Sequence, residues 1–324
     1  MPAVQAVSPA PPPVTSASPP LDVPNRPDDA VLLQSGELEL ELWPSIGGCV
    51  AAFSWLRPSG RVELMRRATP KGLPERDGRE LASFPLFPFS NRVKDGRFSF
   101  QGRQIELTRN TPPDHPIHGH VWQRASTLRS KTATTAQLMC QYPGADWPWA
   151  YTADQRFSLS PEGLAVELEL RNDSDSPMPC GLGMHPYYDR TESVRLQAHA
   201  PVRWVGSQYL LPEWSEPVPE AWTFTEPRAL SPLAEMDGCF GRFGGKARLE
   251  WPEKSVALEI EADPIFGVLI CYVPKGQDFF CLETVSNVND AFNLEARGVV
   301  GNGTIVLAPG ESARGTIRYR PSAL

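Results

Sequence analysis

Long apolar runs are missing from this 324-residue chain: none approaches the roughly 20 residues that a bilayer-spanning helix needs. Membrane insertion by helices is thereby excluded, and a soluble protein is expected. Paired cysteines are missing too. Cys49, Cys140, Cys180, Cys239, Cys271 and Cys281 occur singly, with no CxxC, mostly inside apolar strand-like runs. That spacing argues against a disulfide framework and for buried free thiols in a reducing, cytoplasmic compartment. Positive charge is in short supply. With 31 Lys and Arg against 38 Asp and Glu, the net charge of −7 offers no basic field for nucleic acid, and neutral ligands fit better.

Helical periodicity is also scarce, whereas two-residue alternation is plentiful. It is clearest in Glu37 to Leu42, Leu164 to Leu170 and Val256 to Glu261. Apolar residues at every second position give a strand one buried and one exposed face. Further strands are expected over 50–55, 97–100, 155–159, 267–272, 279–282, 304–307 and 316–320. Gly and Pro punctuate the remainder at short intervals, which predicts an all-β protein, a large antiparallel β-sandwich or barrel with few short helices. Hydrophobic residues at 41% suffice for a sizeable core. Nine of the 35 prolines fall within the first thirty residues, without the basic start and continuous apolar stretch of a secretory signal. Residues 1–30 therefore read as a disordered extension and 31–324 as one domain.

The chain has five histidines, and three of them, His115, His118 and His120, lie within six residues. On an extended strand His118 and His120 would point the same way, as in a metal site. No acid follows before Asp146, so a cupin-like ligand set lacks its carboxylate, and surface or core histidines and substrate-binding ones remain the other readings. His185 precedes Pro186, which cannot donate to a ladder, so the strand is expected to stop there and leave the imidazole at an edge or rim. Glu283 closes an apolar run and shares a face with Phe279 and Cys281. A carboxylate there must be paired, neutral or functional, and an ion pair with Arg92 is the structural alternative. Arg92 follows a run of aromatic residues and either snorkels outward or forks onto a ligand's oxygens. Asp237 reads locally as a turn residue. Trp122, Trp147 and Trp149 are candidates to stack on sugar faces or to fill the core.

Four stretches, in order, make the chain resemble the aldose 1-epimerase (galactose mutarotase) family: Ser90-Asn91-Arg92-Val93, Ile117-His118-Gly119, His185-Pro186-Tyr187-Tyr188, and Phe280 to Thr284 followed by Asp290 to Asn293. A fifth, Met236 to Phe240, resembles the family's Asp-His-(Cys or Asn)-Phe stretch, with Gly238 in place of its histidine. The resemblance spans about residues 32 to 320. It implies a galactose mutarotase-like supersandwich and an isomerase that interconverts the α and β anomers of a free aldose. It further implies His185 as general acid, Glu283 as general base, and Arg92, His118, Asp237 and Asn91 as substrate-binding residues. No metal or other cofactor is expected, and a monomer is the default, although exposed edge strands leave dimerisation open. A carboxylate near His185 should raise its protonated fraction, and acid and base should face one another across the sugar. Apolar Leu269 stands where galactose-type members commonly carry glutamine, which puts the sugar's identity in question. Hexose-6-phosphate epimerases of the family bind phosphate through extra arginines, and a non-catalytic sugar-binding module is the contrasting alternative.

Overall fold

The computed structural model describes residues 26–111, 115–208, 210–231 and 235–324. The proline-rich extension expected over residues 1–30 lies, up to residue 25, outside the described residues. Arg26 is placed, and it forks onto the carboxylate of Glu41 with Nε–Oε1 and Nη2–Oε2 distances of 2.8 and 2.9 Å.

Among the described residues an eleven-stranded and a nine-stranded antiparallel sheet dominate, and helix is confined to short segments such as Gly72–Glu75 and Ala291–Ala296. The all-β sandwich expected from the alternation is the fold observed. In the nine-stranded sheet Gly163–Asn172 pairs with Tyr151–Ser160 on one side and Ser312–Ala323 on the other. Its alternation works as anticipated: Leu164, Val166, Leu168 and Leu170 are each at most 1% exposed and face the common core. Each such side chain contributes roughly 1.5–3 kcal/mol by leaving water.

The eleven-stranded sheet differs because both of its faces are covered. Its centre runs in the order Ser83–Leu86, Gly183–Asp189, Phe279–Val285, Val268–Val273, Met236–Gly241. Along Phe279–Val285, Phe280 and Leu282 enter the core shared with the other sheet, while Cys281 and Val285 join a second apolar cluster on the opposite face. Continuous apolar sequence is what a doubly covered strand requires. Glu283 lies on that second face, among apolar neighbours. All six cysteines are buried with free thiols.

Candidate active site

The strand carrying His185 does not stop at Pro186. It continues to Asp189 in the middle of the sheet, so His185 is not at an edge as expected. Alternate N–H groups of a strand point to opposite neighbours. Tyr187 donates to the Ala82 carbonyl at 2.9 Å, so the N–H that Pro186 lacks would have faced the Phe279–Val285 strand. There the pairing runs from Met184 opposite Thr284 to Tyr187 opposite Cys281 and lapses between them. The unbroken register sets His185 opposite Glu283. A proline is tolerated in mid-sheet because only these two residues go unpaired on that side.

This local lapse joins an imidazole and a carboxylate on one face, with His185 Nε2 at 3.2 Å from Glu283 Oε1. They lie side by side on the cleft floor rather than facing each other across it. Stacking fixes the imidazole: its ring centre is 4.4 Å from that of Phe84, its neighbour on the Ser83–Leu86 strand, and 4.9 Å from that of Tyr187. His185 Nδ1 and Glu283 Oε2 are buried without hydrogen-bond partners.

Burial dominates the electrostatics. It pushes the His185 imidazole down to about 3; proximity to its own main chain opposes this and the Arg66 charge assists it. It raises the Glu283 carboxyl well above the usual range, helped by Asp237 and opposed by Arg92. The expected gain in His185 protonation from a neighbouring carboxylate is not what this site favours, because burial disfavours the charged forms of both groups. Both groups favour their neutral forms. A proton shared between Glu283 Oε1 and His185 Nε2 satisfies both atoms of the contact.

A polar cleft of about 690 Å³ opens above the pair, within the roughly 300–1,000 Å³ usual for small-ligand sites. His185, Glu283, Arg92, His118, Asp237 and Asn91 all line it. A hollow of about 160 Å³ beside Phe224 and Phe240 has no carboxylate in its lining. Arg92 does not ion-pair with Glu283, whose recorded partner is His185. Its Nη1 instead donates to Asn91 Oδ1 at 3.2 Å. Asp237 lies within the Met236–Gly241 strand, not in a turn, opposite Tyr272. Burial, reinforced by Glu235 and opposed by Arg92, pushes its carboxyl up to about 6.

Asn91 and His118 both adopt left-handed backbone conformations, with φ of 59° and 64°. The turn this creates locks them together: Asn91 N–H donates to His118 Nδ1 at 3.1 Å, and His118 N–H donates to the Asn91 carbonyl at 3.0 Å. Since Nδ1 accepts, neutral His118 carries its proton on Nε2 and donates from there. Burial, with the charges of His185 and arginines 92 and 79, holds its pKa well below the usual value. Gly119 is required next to it, because a Cβ would lie 1.9 Å from the Phe87 carbonyl oxygen. His120 does not share the direction of His118. It stacks on Tyr142 at 4.7 Å and approaches Asp146 at 3.8 Å, so the two imidazoles do not form a metal-binding face.

Several supporting residues carried no signal in the sequence. Asn287 accepts from Ser90 N–H and donates to its carbonyl, both at 3.1 Å, tying the Arg92 turn to the segment that follows the Glu283 strand. Asn110 donates to the carbonyls of Ile117 and Gly119 and accepts from Ile117 N–H, bracing the His118 turn. Their partners are distant in sequence or in an irregular turn, and neither residue belongs to a periodic pattern. Trp122, Trp147 and Trp149, candidates for sugar stacking, are at most 1% exposed and belong to the core. Leu269 is also corrected. It pairs with Thr284 and faces the core between the sheets, so its apolar character carries no information on the sugar.

The chain belongs to the aldose 1-epimerase family, whose model matches residues 29–320. It is 30% identical over 297 residues to the uncharacterised Escherichia coli K12 protein YphB, covering 89% of this chain and 97% of that one. A galactose mutarotase-like protein from Clostridium acetobutylicum superposes with a TM-score of 0.80 at 18% identity, covering 91% of this chain and 95% of that one. The GalM/aldose epimerase homologue from C. elegans superposes with a TM-score of 0.77 at 16% identity, covering 91% and 99%. These two share the fold.

Proposed function

We propose that the protein is a cofactor-independent aldose 1-epimerase, an isomerase that interconverts the anomers of a free aldose. The observation that carries this reading is the 3.2 Å contact between His185 and Glu283 beneath a polar cleft. A cyclic hemiacetal has its ring oxygen and its anomeric hydroxyl on the same carbon, C1. An acid and a base that serve these two oxygens must therefore stand next to each other.

In the reactive form the shared proton sits on His185 and Glu283 is ionised. Glu283 takes the proton from O1 as the C1–O1 bond becomes a carbonyl; the C1–O5 bond breaks, and His185 protonates O5. Rotation about C1–C2 presents the other face of the aldehyde. Reclosure reverses the transfers: His185 takes the O5 proton as O5 attacks C1, and Glu283 returns a proton to O1. Arg92, Asn91, Asp237 and the Nε2–H of His118 hold the remaining hydroxyls. General acid/base catalysis contributes roughly 100- to 10,000-fold, and orientation adds to it. Every group named comes from one chain, so the mechanism operates in a monomer. The six buried free thiols support a reducing compartment, and we place the enzyme in the cytoplasm on that ground.

Polarimetry of freshly dissolved α-D-glucose, α-D-galactose and L-arabinose tests the reading. Catalysed mutarotation of at least one is expected. Rates equal to buffer for all three would refute activity on free sugars.

A further inference from the structure

Of the three clustered histidines, His118 lines the cleft and His120 packs on Tyr142. His115 is the third, and it lines the cleft as well. It belongs to a short antiparallel ribbon in which Arg92 pairs with Ile117. Within it His118 N–H donates to the Asn91 carbonyl at 3.0 Å, and Val93 N–H donates to the Pro116 carbonyl at 3.1 Å. The ribbon lays residues 91–95 alongside 115–118 and forms one wall of the cleft, with Asn91, Arg92, His115, Ile117 and His118 in the lining.

Each end of the ribbon holds an imidazole in the same way. At one end Asn91 N–H donates to His118 Nδ1 at 3.1 Å; at the other Asp95 N–H donates to His115 Nδ1 at 2.9 Å. Both donating residues are left-handed, with φ of 59° at Asn91 and 52° at Asp95, a conformation uncommon outside glycine. Gly96 continues the second turn at φ 70°, where a Cβ would lie 2.7 Å from the Leu107 carbonyl oxygen. An imidazole whose Nδ1 accepts carries its proton, when neutral, on Nε2. His115 therefore presents an Nε2–H, as His118 does. Its recorded polar contacts among the described residues are the Asp95 N–H and a 3.7 Å approach to Asp95 Oδ1, and both involve Nδ1.

The two histidines differ in depth. His118 is buried with its ring centre 5.0 Å from that of His185, whereas the His115 side chain keeps 21% of its surface open. A fixed donor on the cleft wall, apart from the reacting pair, takes no part in the proton transfers. An aldose carries several hydroxyls, each able to accept, and a site built to hydrogen-bond one of them selects against the analogue that lacks it. We infer that His115 is a further substrate-binding residue, whose Nε2–H donates to an aldose hydroxyl other than the one His118 holds, so that the wall reads one more position of the sugar; the inference rests on the mutarotase reading of the site.

The test follows mutarotation of D-glucose, D-galactose and L-arabinose, and then of monodeoxy analogues of whichever is turned over fastest, by wild type, His115→Asn and His115→Ala. Asparagine keeps an acceptor for Asp95 N–H but lacks the Nε2–H, so it separates binding from support of the turn. On the parent sugar both variants should raise KM by roughly 3- to 10-fold with kcat within about 2-fold, while thermal melts show a loss of stability only in His115→Ala. Wild type should show the same rise in KM on one deoxy analogue, and on that analogue His115→Asn should match wild type within about 2-fold, because the hydrogen bond is already gone. A parent-sugar KM unchanged in His115→Asn would overturn the inference, as would an equal loss on the parent and on every analogue. A crystal of wild type with the parent sugar bound should place a hydroxyl oxygen about 2.7–3.2 Å from His115 Nε2, and none within about 3.5 Å would overturn the inference whether or not the variants fold. Acceleration of none of the three parent sugars would instead overturn the mutarotase reading itself, and the inference with it.

Discussion

Glu41 and Glu283 are both buried carboxylates in the eleven-stranded sheet, 0% and 2% exposed, yet their surroundings are opposite. Glu41 receives two hydrogen bonds from Arg26 and a third, 2.8 Å long, from Trp43 Nε1. Glu283 has one contact, to an imidazole that burial also keeps uncharged, and its second oxygen has none. A fully matched carboxylate joins elements of the fold. An incompletely matched one at the floor of a cleft costs stability and is poised to exchange a proton with a ligand.

Substitution should separate the two carboxylates. The largest expected effect is on kcat: Glu283→Gln should lower it roughly 100- to 10,000-fold with thermal stability retained, as measured by polarimetry and thermal melts. The sign of the accompanying stability change follows from the raised pKa. Above the unfolded value of about 4.5 the unfolded chain ionises while the folded carboxyl stays protonated, so wild-type stability falls as pH rises through that window. Glutamine removes this penalty, and the variant's melting temperature should gain on wild type as pH rises above about 4.5.

Next comes binding. Asp237→Asn should raise KM by roughly 10-fold with a smaller change in kcat. The wild-type KM should itself rise as pH falls below about 6, where the carboxyl loses its charge and the hydrogen bonds it accepts from the sugar lose their charge assistance. Initial rates across pH, in both proteins, check this: the KM inflection should vanish in the variant. Glu41→Ala should show the reverse pattern, a loss of about 2 to 4 kcal/mol in denaturant unfolding with kcat/KM within about 3-fold of wild type. The smallest effect is expected from His120→Phe. Its ring packs on Tyr142 away from the cleft, so kcat/KM should stay within about 2-fold.

The contrast between the carboxylates also shows what a one-dimensional reading reaches. Half-buried strands such as Gly163–Asn172 were legible because alternation directly records one dry and one wet face. The conflict at Glu283, a carboxylate in an apolar run, was legible for the same reason. Its resolution was not, because the opposing His185 belongs to a strand nearly a hundred positions away. Pro186 misled the reading of that strand, since the rule against mid-sheet proline assumes a ladder without local lapses. His120 was misread through side-chain direction, and Leu269 was tied to the sugar by resemblance alone. A left-handed residue at His118 cancels the two-residue period assumed for the histidine cluster, and only the observed register shows that Leu269 faces the core. Asn110 and Asn287 were invisible because their partners lie outside any periodic pattern.

The most direct test of the central claim, that His185 and Glu283 work as one acid/base unit, is a double-mutant cycle on kcat for mutarotation using His185→Asn, Glu283→Gln and their combination. The account predicts that each single variant loses most of the catalysis and that the double variant is within about 3-fold of the slower single one. Multiplicative losses, or a single variant that keeps more than about a third of the wild-type kcat, would contradict it.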